Sequence, residues 1–399
     1  MIRIFARSTR RLRFWFVCLA GIAVLAACEY TQPDLTVSRL ETPEPSPISI
    51  PTSPLEDTLY IDETNVIAAF EVSPQTNNLP APISVSTAAA IVKPTIGAAE
   101  QQGTAWYAYA VDAPVSGATA GTVNALRIGA NHGLTYLGSL SSPYYLGITG
   151  ISWGLGGYAF VANGPLSEIY SITIASNAPA TSLAVTLPAA PIGLAEAGGV
   201  VVISQQASSS STGTTPPSLA AYTDNGMGSL VGPSATATVT FAGPVFGATV
   251  GGSPVFFIAG GTEVSAVNSS LADVVPNYGL TQPAQIIYCS RSGVCLVVLA
   301  PQGSSPLALQ ALTLAASGWQ AGPVTEISEA PSTIALTADG SEFVLYAQSS
   351  SQLAFGTISS SGAIDLGAPS SSPGEIFGMF FFSEFDAAPD AHQRKPMRI

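Results

Sequence analysis

Ile334-Ala-Leu-Thr-Ala-Asp-Gly-Ser-Glu-Phe-Val-Leu-Tyr-Ala347 consists of two short apolar runs on either side of Asp339-Gly340. Asp-Gly between β-forming residues is a tight-turn signal, because glycine reaches the positive φ that a two-residue hairpin turn requires. The stretch predicts a hairpin. Its second strand, Phe343-Val-Leu-Tyr346, is a short β-rich segment.

Six earlier segments share that character. They are Leu59-Tyr-Ile, Trp106-Tyr-Ala-Tyr, Tyr158-Ala-Phe-Val, Val200-Val-Val-Ile, Val255-Phe-Phe-Ile and Cys295-Leu-Val-Val, so that successive openings, counted to Phe343, lie 47, 52, 42, 55, 40 and 48 residues apart. This period suits one four-stranded propeller blade with variable loops. Turn signals precede most openings: Gly156-Gly157, Gly198-Gly199, Gly251-Gly252, Ser292-Gly293 and Asp339-Gly340. Two more strand-like runs follow each opening, as in Glu168-Ile-Tyr-Ser-Ile-Thr-Ile and Ser182-Leu-Ala-Val-Thr-Leu.

The first opening has its following strands, Asn65 to Val72 and Ile83 to Ser86, but nothing to pair on its other side. Glu375-Ile-Phe-Gly-Met-Phe-Phe-Phe382 comes after the last repeat and supplies the missing strand. The predicted fold is therefore an all-β propeller of four-stranded blades, seven of them, closed by the C-terminal strand; six and eight are the neighbouring counts. Closure removes the exposed edges that invite aggregation. The rival architecture, a pair of β-sandwiches, predicts no such return. The 334–347 stretch resembles the strand-Asp-Gly-strand repeat of bacterial YVTN and TolB-type β-propellers, and the other repeats depart from it in their turns. The resemblance implies the fold and says little about activity.

Ahead of the repeats, Met1 to Ala27 has the layout of an export signal: Arg3, Arg7, Arg10, Arg11 and Arg13, then an uncharged apolar run from Phe14. That run falls short of the roughly 20 residues of a membrane span. It ends in Leu25-Ala26-Ala27-Cys28, which resembles the lipobox of bacterial lipoproteins. The resemblance implies removal of residues 1–27 and acylation (diacylglycerol, with palmitate-type chains) of the Cys28 thiol. In a diderm cell Glu29 points to the outer membrane. Residues 28–56, with prolines 33, 43, 45, 47, 51 and 54, read as an extended tether, residues 57–386 as the propeller, and 387–399 as a disordered tail.

From Cys28 onward the chain keeps seven Lys and Arg against twenty-five Asp and Glu, a net 7 − 25 = −18. Nucleic acid is excluded as a partner, since a phosphate backbone is held by clustered cations. Cys289 and Cys295 flank a hairpin turn and, in an exported protein, predict a structural disulfide.

Catalytic material is sparse. His132 and His392 are the only histidines, the first in a turn and the second in the tail. No nucleophile elbow, P-loop or dinucleotide fingerprint stands in its required context. Asp224-Asn225-Gly226 and Asp339-Gly340 read as turns rather than metal loops, and no cofactor is expected. Trp106, Trp153 and Trp319 are candidates for sugar stacking, with core packing as the plainer role. Ala207 to Ser218 reads as a mobile loop. The resulting expectation is a membrane-anchored, non-catalytic binding or scaffolding propeller with an envelope or extracellular protein partner. Its alternatives are an exported glycan- or lactone-processing enzyme, or a carbohydrate-binding propeller.

Overall fold

A computed structural model describes residues 58–63, 66–71, 79, 82, 84–87, 94–102, 105–112, 121–129, 133–142, 148–175, 178–210 and 213–382. Seven small antiparallel sheets follow one another as the blades of a propeller. Blade 1 joins the two ends of the repeat region, in the order Ile376–Phe382, Thr58–Glu63, Val66–Glu71 and Ser84–Thr87. Thr58 pairs with Phe382 and Ile61 with Met379, so the C-terminal strand does close the ring and the paired-sandwich alternative falls.

Blades 2 to 7 begin at the inner strands Pro94–Gln102, Ile148–Trp153, Pro191–Ala197, Val245–Val250, Ala284–Cys289 and Thr333–Leu336. The seven apolar openings mark the second strands, among them Val200–Gln205, Val294–Leu299 and Glu342–Ala347. A second strand has hydrogen-bonded neighbours at both edges and another blade against each face. That is why its sequence lacks alternation. Val201 and Ile203 pack with Phe160 and Ala162 of blade 3, while Val202 between them packs with Phe256 and Ile258 of blade 5.

One buried apolar cluster fills each gap between blades. Seven clusters go round the ring, and the last, with Val344 and Tyr346 of blade 7 against Leu59 and Ile61 of blade 1, links the two chain ends of the repeat region. The glycine turns behave as read: Gly198 and Gly199 hold φ of 60° and 79°, and Gly340 holds 75°.

Each inner strand runs from what we call the upper face to the lower face. Turns between first and second strands, and between third and fourth, lie on the lower face. Links between second and third strands, and between blades, lie on the upper face. At the lower face blades 3 and 4 interlock: Asp224 accepts hydrogen bonds from the backbone of Leu155 and, at 2.8 Å, of Gly226. A Cβ at Gly154 would strike the Phe160 ring and lie 2.5 Å from the Asp224 carboxylate, so glycine is required there by close approach.

Cys289 and Cys295 face each other across the blade 6 hairpin and form the expected disulfide, with their Cα atoms 4.0 Å apart. The bridge closes a short loop, so its entropic effect on the unfolded chain is modest, about 2 kcal/mol. The Cys289→Ala, Cys295→Ala pair is expected to lower the unfolding free energy by that amount, read as a lower urea midpoint. The 207–218 segment differs from expectation, because Ser208–Ser210 and Gly213–Thr215 pair as a small hairpin. Their Ser and Thr side chains are β-tolerant, and the pairing satisfies backbone groups that an open loop would leave to solvent.

Candidate functional site

Several of the residues singled out in sequence serve the fold. Asp339 organises the blade 7 turn, accepting from the Ser341 backbone at 2.9 Å and the Thr337 hydroxyl at 2.8 Å. Burial pushes its pKa up, but these hydrogen bonds outweigh burial and leave it below the usual carboxylate value. A depressed carboxylate stabilises the fold above its unfolded pKa and loses that contribution as pH falls through the folded one. The destabilisation caused by Asp339→Ala is thus expected to be full at pH 7 and to fade as pH falls from about 4 through the lowered folded pKa, below which the wild-type group is also neutral, as read by thermal unfolding across pH. Asp224 is the opposite case, with burial raising its pKa against the hydrogen bonds from Gly226 and Leu155. Both are turn carboxylates.

The tryptophans do not converge. Trp106 packs in the layer between blades 1 and 2, whereas Trp319 lies between blades 5 and 6 with its ring 5.7 Å from Phe257 and 6.4 Å from Tyr278. The side chain of Trp153, both histidines and Cys28 lie outside the described residues.

The candidate site is instead on the upper face, where blades 7 and 1 meet. Glu63 ends the second strand of blade 1 and pairs with Ile376, the first residue of that blade's inner strand. The register shifts there: Asp62 faces Gly378, Glu63 faces Ile376, and Phe377 is the extra residue of a bulge. Bulges re-aim side chains, and this one stands at the upper end of an inner strand, beside the mouth of the central channel. A Cβ at Gly374 would lie 2.7 Å from Glu63 Oε2, which places the carboxylate against the turn leading into Glu375. Burial raises the pKa of Glu63.

Glu375 accepts a hydrogen bond of 2.6 Å from Gln348 Nε2. Gln348 opens the turn between the second and third strands of blade 7. The next residues, Ser349 at 3.4 Å and Ser350, donate to Glu329, which comes from the link between blades 6 and 7. The blade 7 turn thus holds two carboxylates, Glu375 and Glu329, while the half-buried Glu63 lies against Gly374, the residue before Glu375. A cavity of about 90 Å³ adjoins Glu329 under Pro331 and Leu366. It is large enough to hold several waters.

Chemically this is a basic carboxylate, a second carboxylate able to accept from hydroxyl groups, and an amide with a further N–H to offer. Motif reading missed the group because its members come from both ends of the repeat region. The pair of charges at the end of an apolar strand, Asp62-Glu63 after Leu59-Tyr-Ile, was the available signal.

No protein-family model and no curated protein matches the chain. Solved structures do share its fold. A putative 6-phosphogluconolactonase from Bacteroides uniformis superposes with a TM-score of 0.63 at 11% identity, covering 82% of this chain and 100% of its own. A second putative 6-phosphogluconolactonase, from Bacteroides fragilis, gives 0.58 at 11%, covering 85% and 100%. The periplasmic gluconolactonase of Pseudomonas aeruginosa gives 0.58 at 14%, covering 82% and 99%. At these identities the likeness establishes the seven-bladed fold. The expectation of a non-catalytic scaffold is nevertheless corrected: it rested on finding no catalytic group in sequence, whereas the fold gathers Glu329 and Glu375 at one upper-face turn and three structures sharing it carry lactonase names.

Proposed function

We propose that the protein is a lactone hydrolase acting on an uncharged sugar lactone at the upper face. The observation that carries this reading is Glu63, a carboxylate made more basic by burial and set against Gly374 at the upper end of the blade 1 inner strand. The names of the neighbouring structures support the same chemistry.

In the reaction, Glu63 takes a proton from water as the water oxygen bonds to the acyl carbon. The ring C–O bond then breaks, and the departing ring oxygen takes the proton back from Glu63. Lactone and water become a hydroxycarboxylate and one released proton. Gln348 and Glu375 orient the sugar hydroxyls.

Charge argues for a neutral substrate. Arg127 and Arg291, the two described cations, lie towards the lower face, and Lys93 falls outside the described residues. A phosphorylated lactone would meet Glu63, Glu329 and Glu375, each repelling a unit charge 8 Å away by about 0.5 kcal/mol in water. The test is a pH-stat assay of glucono-δ-lactone with the purified full chain. Acceleration well above spontaneous hydrolysis, increasing with pH through the raised Glu63 pKa, is expected. A rate equal to the spontaneous one for gluconolactone and for other neutral lactones would refute the reading.

The same proposal places the enzyme on a membrane through acyl chains on Cys28. Intact mass and membrane fractionation, wild type against Cys28→Ser, test that part separately. Among the described residues no helix is long and apolar enough to cross a membrane.

A further inference from the structure

We propose that Asn225, in the lower-face turn Asp224-Asn225-Gly226-Met227, is a site of self-catalysed modification: the Gly226 amide nitrogen attacks the Asn225 side chain, and the residue passes through a cyclic imide to aspartate and isoaspartate. The inference stands apart from the lactonase reading and from the membrane anchor.

The turn supplies a nucleophile, a base and donors for the developing charge. Glycine at 226 leaves its own nitrogen unshielded, and it holds φ of 68°, where a side chain would be strained. The Gly226 N–H donates to Asp224 Oδ1 at 2.8 Å, so a carboxylate is in place to take the proton as the nitrogen bonds to carbon. Burial raises the Asp224 pKa against its hydrogen bonds from Gly226 and Leu155, which makes it the better base. Asn225 Oδ1 accepts from the backbone of Met227 at 2.8 Å and of Ser229 at 3.1 Å, two fixed donors on the oxygen where negative charge develops. As the bond from Gly226 N to Asn225 Cγ closes a five-membered ring, the amide proton passes through Asp224 to Nδ2, the Cγ–Nδ2 bond breaks and ammonia departs. Water then opens the imide: attack at Cγ gives aspartate, and attack at the main-chain carbonyl gives isoaspartate. Asn225 is exposed, so water has access.

Two other asparagines separate the parts of this arrangement. Asn268 has the same pair of donors, since its Oδ1 accepts from the backbone of Ser270 at 2.9 Å and of Ala272 at 3.1 Å. It is followed by Ser269, however, and Val267 stands where Asn225 has Asp224. Asn163-Gly164 is the other Asn-Gly pair of the chain, but Asn163 ends the second strand of blade 3 and is fully buried. Modification at Asn225 also has a structural consequence. Its two neighbours hold blade 3 against blade 4: the Leu155 N–H donates to Asp224, and a Cβ at Gly156 would lie 2.3 Å from the Gly226 carbonyl oxygen. Isoaspartate adds a methylene to the main chain between those neighbours, and either product sets a second carboxylate beside Asp224. The contact between the two blades is thereby loosened.

The test ages the purified full chain near neutral pH in heavy-oxygen water and follows Asn163, Asn225 and Asn268 by peptide mass spectrometry, with electron-transfer fragmentation to separate isoaspartate from aspartate. Asn225 is expected to convert about ten-fold faster than Asn268 or more, and faster than in a synthetic peptide of residues 219–232, with heavy oxygen entering the product. Asp224→Asn keeps a carbonyl oxygen for the Gly226 and Leu155 N–H groups but takes no proton, and it should slow conversion by about ten-fold or more. Conversion of the wild-type residue no faster than that of Asn268, or no faster than in the peptide, would overturn the proposal, and neither comparison depends on a variant. An unchanged rate in folded Asp224→Asn protein would overturn Asp224 as the base. Amide hydrogen exchange at Leu155 should quicken in the converted protein, and unchanged exchange would overturn the loosening of the contact between blades 3 and 4.

Discussion

Glu63→Gln is expected to lower kcat for neutral lactones by 10²- to 10⁴-fold, the range for loss of a general base, with KM changed little. The amide keeps the shape of the carboxylate and its place against Gly374 but cannot take the proton from water. Burial raises the Glu63 pKa, so the wild-type rate should climb with pH through a range above the ordinary carboxylate value, and that limb should vanish in the variant. Gln348→Ala provides the contrast: it removes a positioning contact to Glu375, and the loss should fall on KM as well. If Glu63→Gln retained full kcat and the same pH limb, the proton acceptor would have to be another group and the assignment of Glu63 would fail.

Phe380→Ala should cost about 3–5 kcal/mol, read as a shift in the denaturant unfolding curve. The side chain is 6% exposed and stacks on Tyr60, with ring centroids 4.9 Å apart. It fills the layer between blades 1 and 2 together with Ala108 and Leu126. Its position makes it more than one core residue among many. Phe380 lies on the strand that closes the ring, and any opening there exposes two edges and two apolar layers together. A cost below about 1 kcal/mol would mean that the ring tolerates an unlatched first blade.

The residues that made the fold legible were those with no choice of environment. Val201, Val202 and Ile203 are consecutive and fully buried because neighbouring blades cover alternate sides of one strand, and such a run can be recognised without any structure. The glycine pairs before the openings were legible for an equally local reason, their positive φ. Closure by residues 376–382 followed from counting strands against repeats. The disulfide followed from two cysteines on either side of one such turn.

The candidate site was not legible, and Glu63 shows why. Its environment is made by Gly374, Glu375 and the bulge at Phe377, which approach it only when the last strand returns to the first. Gln348 and Glu329 are brought in from blade 7 and from the link before it. None of these residues has a sequence neighbour that betrays its role.

The sequence by itself thus determined the strand pattern, the turns, the repeat count and the latch, because each is set by local φ preference or by burial within a few residues. The tertiary structure alone decided which carboxylates meet the blade 7 turn and that burial makes Glu63 basic. Those properties depend on distances between residues remote in the chain, and such distances are fixed only once the ring is closed.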